Sequence, residues 1–105
     1  KNRTRIYLYT IATQKLEVLT TGDFDESSPV WSPDGKSIAF VSNRAADADR
    51  VPNNDIWLAD ATPGATPRKL TTFTGSDTSP VFSPDGKFIA YLMGSEHKQG
   101  EYNMN

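Results

Sequence analysis

Short runs in which apolar side chains crowd together recur along the chain, separated by polar turns. They are "IYLY" from Ile6, "PVW" from Pro29, "IAFV" from Ile38, "IWLA" from Ile56, "PVF" from Pro80 and "IAYL" from Ile89. None extends far enough at a 3.6-residue spacing to make a helix, so the pattern predicts strands. Runs such as Ile6-Tyr7-Leu8-Tyr9 and Ile38-Ala39-Phe40-Val41 are apolar on both faces. A sheet with one wet face would alternate, so these sheets are expected to be covered on both sides. The segments "KLEVLT" and "PRKLT", with Lys15, Glu17, Arg68 and Lys69, are more polar and suit an outer position facing water.

The pattern repeats. "SPVWSPDGKSIAF" begins at Ser28 and "SPVFSPDGKFIAY" at Ser79, and the offset of 51 carries Pro33, Asp34 and Gly35 onto Pro84, Asp85 and Gly86. "RIYLYTIATQKLEVLT" echoes "DIWLADATPGATPRKLT" at an offset of 50 to 51, the difference falling in a turn where insertion is cheap. In each "SPDG", proline suits the second position of a type I turn, and glycine can take the left-handed conformation that closes a bulged hairpin. Ser32 and Asp34 can accept hydrogen bonds from turn amides. These six residues therefore read as structural turns.

A period near 50 with four short strands is the length of a β-propeller blade. The fold class expected is all-β, built of antiparallel four-stranded blades. In strand order the chain supplies the last two strands of a blade (about 5–20), a full blade (about 28–71) and the first two strands of another (about 79–93). One complete blade flanked by two half blades cannot close a ring, because propellers typically take four to eight blades. Its open edges favour self-association.

Composition narrows the function classes. The 105 residues carry a net charge of −2 with 36% apolar and 23% charged side chains, a soluble globular balance. There is no basic groove for nucleic acid and no electrostatic case for an anionic membrane. No apolar run approaches a membrane span, and the first ten residues lack the apolar core of a signal peptide. The absence of cysteine excludes disulfides and thiolate metal sites and leaves the compartment open between cytoplasm, periplasm and the secreted space. Without an initial methionine the chain reads as a mature or trimmed form, or as a piece of something longer.

Candidate chemistry is sparse. No Gly-x-Ser-x-Gly nucleophile turn occurs, and His97 reads as a solvated loop residue, so no catalytic residue is assigned. Asp47, Asp49, Asn53, Asn54 and Asp55 form the densest oxygen cluster, a weak candidate for calcium set against a hydrogen-bonded turn; the EF-hand spacing is absent. The acidic "GDFDES" from Gly22 reads as a connection between an outer and an inner strand. Trp31, Trp57, Phe40, Phe82 and Tyr91 fall at matching repeat positions and are expected in the core between blades. Asn2 begins an "NRT" glycosylation sequon. No phosphate loop or paired histidines appear, and no cofactor is expected.

"SPVWSPDGKSIAFVSNR", "DIWLAD" and "RKLTTFTGSDTSPVFSPDGKFIAYL" together resemble the TolB-like propeller repeat. That repeat, a relative of WD repeats, occurs in TolB and in the N-terminal propellers of prolyl oligopeptidase family serine peptidases. "VSNRAADADRVPNNDIW" and "GSEHKQGEYNMN" are similar to the acylaminoacyl-peptidase and dipeptidyl-peptidase branch of those enzymes. In them a propeller sits over an α/β-hydrolase domain with the catalytic triad and screens substrates. The resemblance implies a non-catalytic, substrate-gating fragment of a serine hydrolase, with peptide substrate and the hydrolase domain as partners. The alternative is a non-enzymatic TolB-like module that binds proteins.

Overall fold

The structure, a computed structural model, describes residues 3–44, 54–71 and 75–94. It is all-β and antiparallel within each sheet. Strands β1 (Tyr7–Thr10) and β2 (Lys15–Val18) form a two-stranded sheet. Strands β3 (Glu26–Trp31), β4 (Ser37–Ser42), β5 (Asp55–Asp60) and β6 (Arg68–Lys69) form a four-stranded sheet in chain order. Strands β7 (Ser76–Phe82) and β8 (Ile89–Gly94) form a second pair. This is one complete blade with half a blade on either side.

The sheets are held face to face by two apolar layers. Ile38 and Phe40 of β4 and Ala59 of β5 pack on Ile6 and Leu19 of the first half blade. The alternate residues Ala39, Val41 and Ile56 point the other way and pack with Phe82, Ile89 and Tyr91 of the last half blade. Period-two alternation thus serves two cores at once, which is why β4 is apolar without a break and almost wholly buried. Phe40 is fully buried. Removing such a side chain typically costs about 3–5 kcal/mol through lost transfer energy and the cavity left behind.

The repeated hairpins β3–β4 and β7–β8 carry the same irregularity. The register shifts between Ser27 and Val30 and between Thr78 and Val81. Ser28 and Ser79 take positive φ of 54° and 57° there, each just before a proline. These are β-bulges, and they bend the inner strand. Pro29 and Pro80 cost no ladder hydrogen bond, because β3 and β7 are edge strands.

Not every aromatic expected in the core is buried. Phe40 is, and Phe82, Tyr91 and Trp57 are partly so, but Trp31 is 58% exposed. The reason is positional: Trp31 is the counterpart of Phe82, which packs on the preceding full blade, whereas the pair β1–β2 lacks the inner strands that would cover Trp31. Tyr7 and Tyr9 are exposed for the same kind of reason, since among the described residues no other sheet covers that face of β1. The radius of gyration, 15.2 Å, exceeds the roughly 13 Å of a compact chain of this length, as fits an open arc of stacked sheets. No helix among the described residues is long and apolar enough to cross a membrane.

Candidate functional site

Two kinds of polar construction stand out, the turns at one end of the blades and the junctions between sheets. At each turn the proline-aspartate-glycine sequence closes through a backbone bond from Gly35 N to Ser32 O (2.9 Å), repeated from Gly86 N to Ser83 O (2.9 Å). Gly35 and Gly86 have φ of 74° and 77°, a conformation glycine adopts without steric cost. Asp34 accepts from Ser32 Oγ (2.6 Å) and Lys36 N (3.0 Å), and Asp85 likewise from Ser83 Oγ and Lys87 N. These bonds, the serine's first and the amide's second, hold both carboxyls below the usual carboxylate range. Pro33 and Pro84 line the same cleft between the two turns, about 480 Å³, together with Leu58 and Phe82. Its charged lining residues are the two aspartates, Asp34 and Asp85.

The first junction is built around Glu26, the first residue of β3, which is buried. Its Oε1 accepts from Ile6 N at 3.1 Å, and its Oε2 accepts from Thr20 Oγ1 and from Arg44 Nη2, the latter at 2.6 Å. Arg44 also donates from Nε to Ser42 Oγ at 3.1 Å. Its guanidinium carbon lies 4.5 Å from the centre of the Phe24 ring and 5.0 Å from that of Trp57. Burial pushes the Arg44 pKa down, and Glu26 opposes that shift. Stacking on aromatic faces compensates part of the lost hydration. One carboxylate therefore ties the first half blade, the bulged inner strand and the residue at the end of β4 into one unit.

The second junction has the same plan with a different outcome. Asp77 stands 51 positions after Glu26, and Asp77 N bonds Asn54 O (2.8 Å) as Glu26 N bonds Thr4 O (2.7 Å). The aspartate is one methylene shorter, and Thr71 Oγ1 instead takes the Ile56 amide at 3.1 Å. Both carboxylate oxygens of Asp77 are buried without a hydrogen-bond partner among the described residues. Nearby, burial pushes the Asp55 carboxyl up; Lys69, 3.4 Å away, opposes the rise and Asp77 adds to it.

Asp55 is thus a buried residue at the start of β5, committed to Lys69. Asn54 donates to Ser76 Oγ at 3.2 Å. Asp47, Asp49 and Asn53, the other members of the oxygen cluster, lie outside the described residues, as do His97 and Asn2. Among the described residues no three metal-ligating side chains of the His, Cys, Asp or Glu type converge. The "GDFDES" stretch is more than a connection: it delivers Glu26 into the core, and sequence reasoning missed both Glu26 and its partner Arg44. The available signal was an acidic residue three positions before the proline in both copies, Glu26 and Asp77.

Comparison with known proteins agrees with this architecture. Residues 1–105 match the TolB beta propeller domain model, and the chain belongs to that family. It is 34% identical over 84 residues to the uncharacterized peptidase YuxL of Bacillus subtilis, covering 80% of this chain and 12% of that protein. It is 39% identical over 69 residues to dipeptidyl-peptidase 5 of Porphyromonas endodontalis, covering 64% and 10% respectively. The Tol-Pal system protein TolB of Alcanivorax borkumensis is 29% identical over 69 residues, 66% of this chain and 14% of that protein. The chain therefore spans only about a tenth of the length of these relatives.

Proposed function

We propose that this chain is part of the substrate-gating propeller of a prolyl oligopeptidase family serine peptidase and performs no chemistry itself. What carries the reading is the 34% identity over 84 residues to a peptidase and the 39% identity over 69 residues to a dipeptidyl-peptidase. The physical role follows from the fold. Rigid blades with locked hairpin turns present loops at their ends, and a wall of such blades admits or excludes peptides by size while an adjoining α/β-hydrolase domain cuts them. Arg44, held by Glu26 and stacked on Phe24 and Trp57, fixes the chain just past the end of β4. A second reading, a non-enzymatic propeller that binds protein partners, draws on the match to TolB.

The parent gene separates the two. A Gly-x-Ser-x-Gly turn followed by aspartate and histidine downstream of this segment supports the peptidase; an open reading frame that ends without them sinks it. On the peptidase reading, a fluorophosphonate probe labels the full-length parent and leaves the 105-residue chain unlabelled.

A further inference from the structure

The two hairpin turns carry a chemistry apart from their part in the fold. In each, an aspartate is followed directly by a glycine, Asp34 by Gly35 and Asp85 by Gly86. The main-chain nitrogen after an aspartate can attack that residue's own side-chain carbonyl carbon, and glycine has no side chain to hinder the approach. All four residues are exposed to water. The space around them is open, since a Cβ on Gly35 would meet nothing within 4 Å and one on Gly86 would meet only the Pro33 ring, at 3.8 Å. What stands against the reaction therefore lies inside the turns.

Hydrogen bonds engage both reacting groups elsewhere. The nucleophile, Gly35 N, donates to Ser32 O at 2.9 Å, and Gly86 N donates to Ser83 O at 2.9 Å. The Asp34 carboxylate accepts from Ser32 Oγ at 2.6 Å and from Lys36 N at 3.0 Å, and Asp85 accepts from Ser83 Oγ and Lys87 N at the same two distances. Each serine is itself fixed, its Oγ accepting from Ser37 N in the first turn and from Phe88 N in the second, both at 3.0 Å. The serine bond first and the amide bond second hold both carboxyls below the usual carboxylate range, which depletes the neutral acid, the form that can lose water on attack. The same lock is built twice.

We propose that the Asp34-Gly35 and Asp85-Gly86 bonds are sites of isoaspartate formation, kept shut in the folded chain by Ser32 and Ser83. The glycine nitrogen bonds to the aspartate Cγ, its proton leaves with the carboxyl hydroxyl as water, and a succinimide ring results. Water then adds back. Breaking the bond from nitrogen to Cγ restores aspartate, whereas breaking the bond from nitrogen to the main-chain carbonyl carbon leaves the backbone running through the side chain, one carbon longer and unchanged in mass. A lengthened turn no longer matches the bond from Ser32 N to Ser37 O or from Ser83 N to Phe88 O, so it loosens the register of β3 on β4 or of β7 on β8. The reaction runs through molecules whose turn has opened, and its product marks them. The inference goes beyond the gating role and does not depend on it.

The whole chain is aged near neutral pH, folded in buffer and in parallel unfolded in urea. Isoaspartate at each turn is then mapped with a protease that cuts before aspartate and not before isoaspartate, and counted by an isoaspartate-specific methyltransferase. Both turns are expected to isomerise at least about tenfold more slowly in the folded chain. Ser32→Ala is expected to speed the reaction at Asp34 by about fivefold and leave Asp85 unchanged, with Ser83→Ala doing the converse, because each removes a hydrogen bond to one carboxylate. Ser32→Thr keeps the hydroxyl and should keep the slow rate, and in urea the variants and the unmodified chain should react alike. Equal rates with and without urea, no isoaspartate in urea, or equal acceleration of both turns by one serine variant that circular dichroism shows folded overturns the proposal.

Discussion

At the scale of single residues, the two junctions pose a controlled comparison, because at equivalent positions one buried carboxylate is satisfied and the other finds no partner among the described residues. The Glu26 side chain is 1% exposed and that of Arg44 10%. Breaking such a pair by removing one partner leaves a buried charge alone, typically at about 3–5 kcal/mol. Arg44→Ala is therefore expected to lower the urea midpoint sharply, and Arg44→Met combined with Glu26→Gln to recover much of the loss. Asp77 should behave in the opposite sense. Its oxygens accept nothing among the described residues, and an orphaned buried acceptor costs about 1–3 kcal/mol, so Asp77→Leu, which removes both acceptors at similar volume, is expected to leave stability unchanged or raise it. Equal destabilisation by Arg44→Ala and Asp77→Leu in urea titrations would contradict this account of the junctions.

The pH response also belongs to residues. Asp34 and Asp85 have folded pKa values below their ordinary ones, so their stabilisation is complete above the ordinary aspartate range and is lost as pH falls through the lowered values. Asp55 works the other way: raised by burial, its contribution is present below the ordinary value and is lost as pH rises through the folded one. Acid unfolding followed by fluorescence should therefore be shallower in Asp34→Asn with Asp85→Asn and steeper in Asp55→Asn.

At the scale of elements, the repeated hairpin combines a turn that fits its backbone with a bulge that strains it. Gly35 and Gly86 hold positive φ, and a Cβ on Gly35 would meet nothing within 4 Å. Alanine at either glycine is thus penalised by conformation alone, at about 1–2 kcal/mol. Ser28 and Ser79 pay a related cost already, and glycine there relieves it, for a gain of up to about 1 kcal/mol before backbone entropy is subtracted. Thermal unfolding of the four single variants should move the midpoint down for the glycine replacements and leave it level or raised for the serine ones.

What could be read beforehand follows from range. The blade, its strand order and its sharp turn depend on residues within a few positions of one another, and the duplicated phrase displayed them twice. Glu26 and Arg44 are 18 positions apart and meet only once β3 and β4 are paired, so an acidic stretch and the start of a polar loop gave no sign of each other. Trp31 reads as core by its position in the repeat. Its exposure depends on strands that the preceding sheet does not have, a property of the assembly of blades and of no local pattern.

At the scale of the whole molecule, mutual coverage decides stability. β4 is buried because a sheet lies on each side of it, whereas among the described residues β1 and β8 each pair on one side only. Extending the chain by a flanking blade at either end is expected to raise the melting temperature, since it buries apolar side chains such as Tyr9 and Leu92. Calorimetry of the extended and unextended chains checks this, and an unchanged midpoint speaks against it.

The eight described strands amount to two blades' worth distributed over three sheets, so the chain is offset from the blade repeat by half a blade. Each apolar layer therefore lies between two sheets and belongs to neither alone: cutting the chain between β2 and β3 or between β6 and β7 separates a sheet from half of its own core.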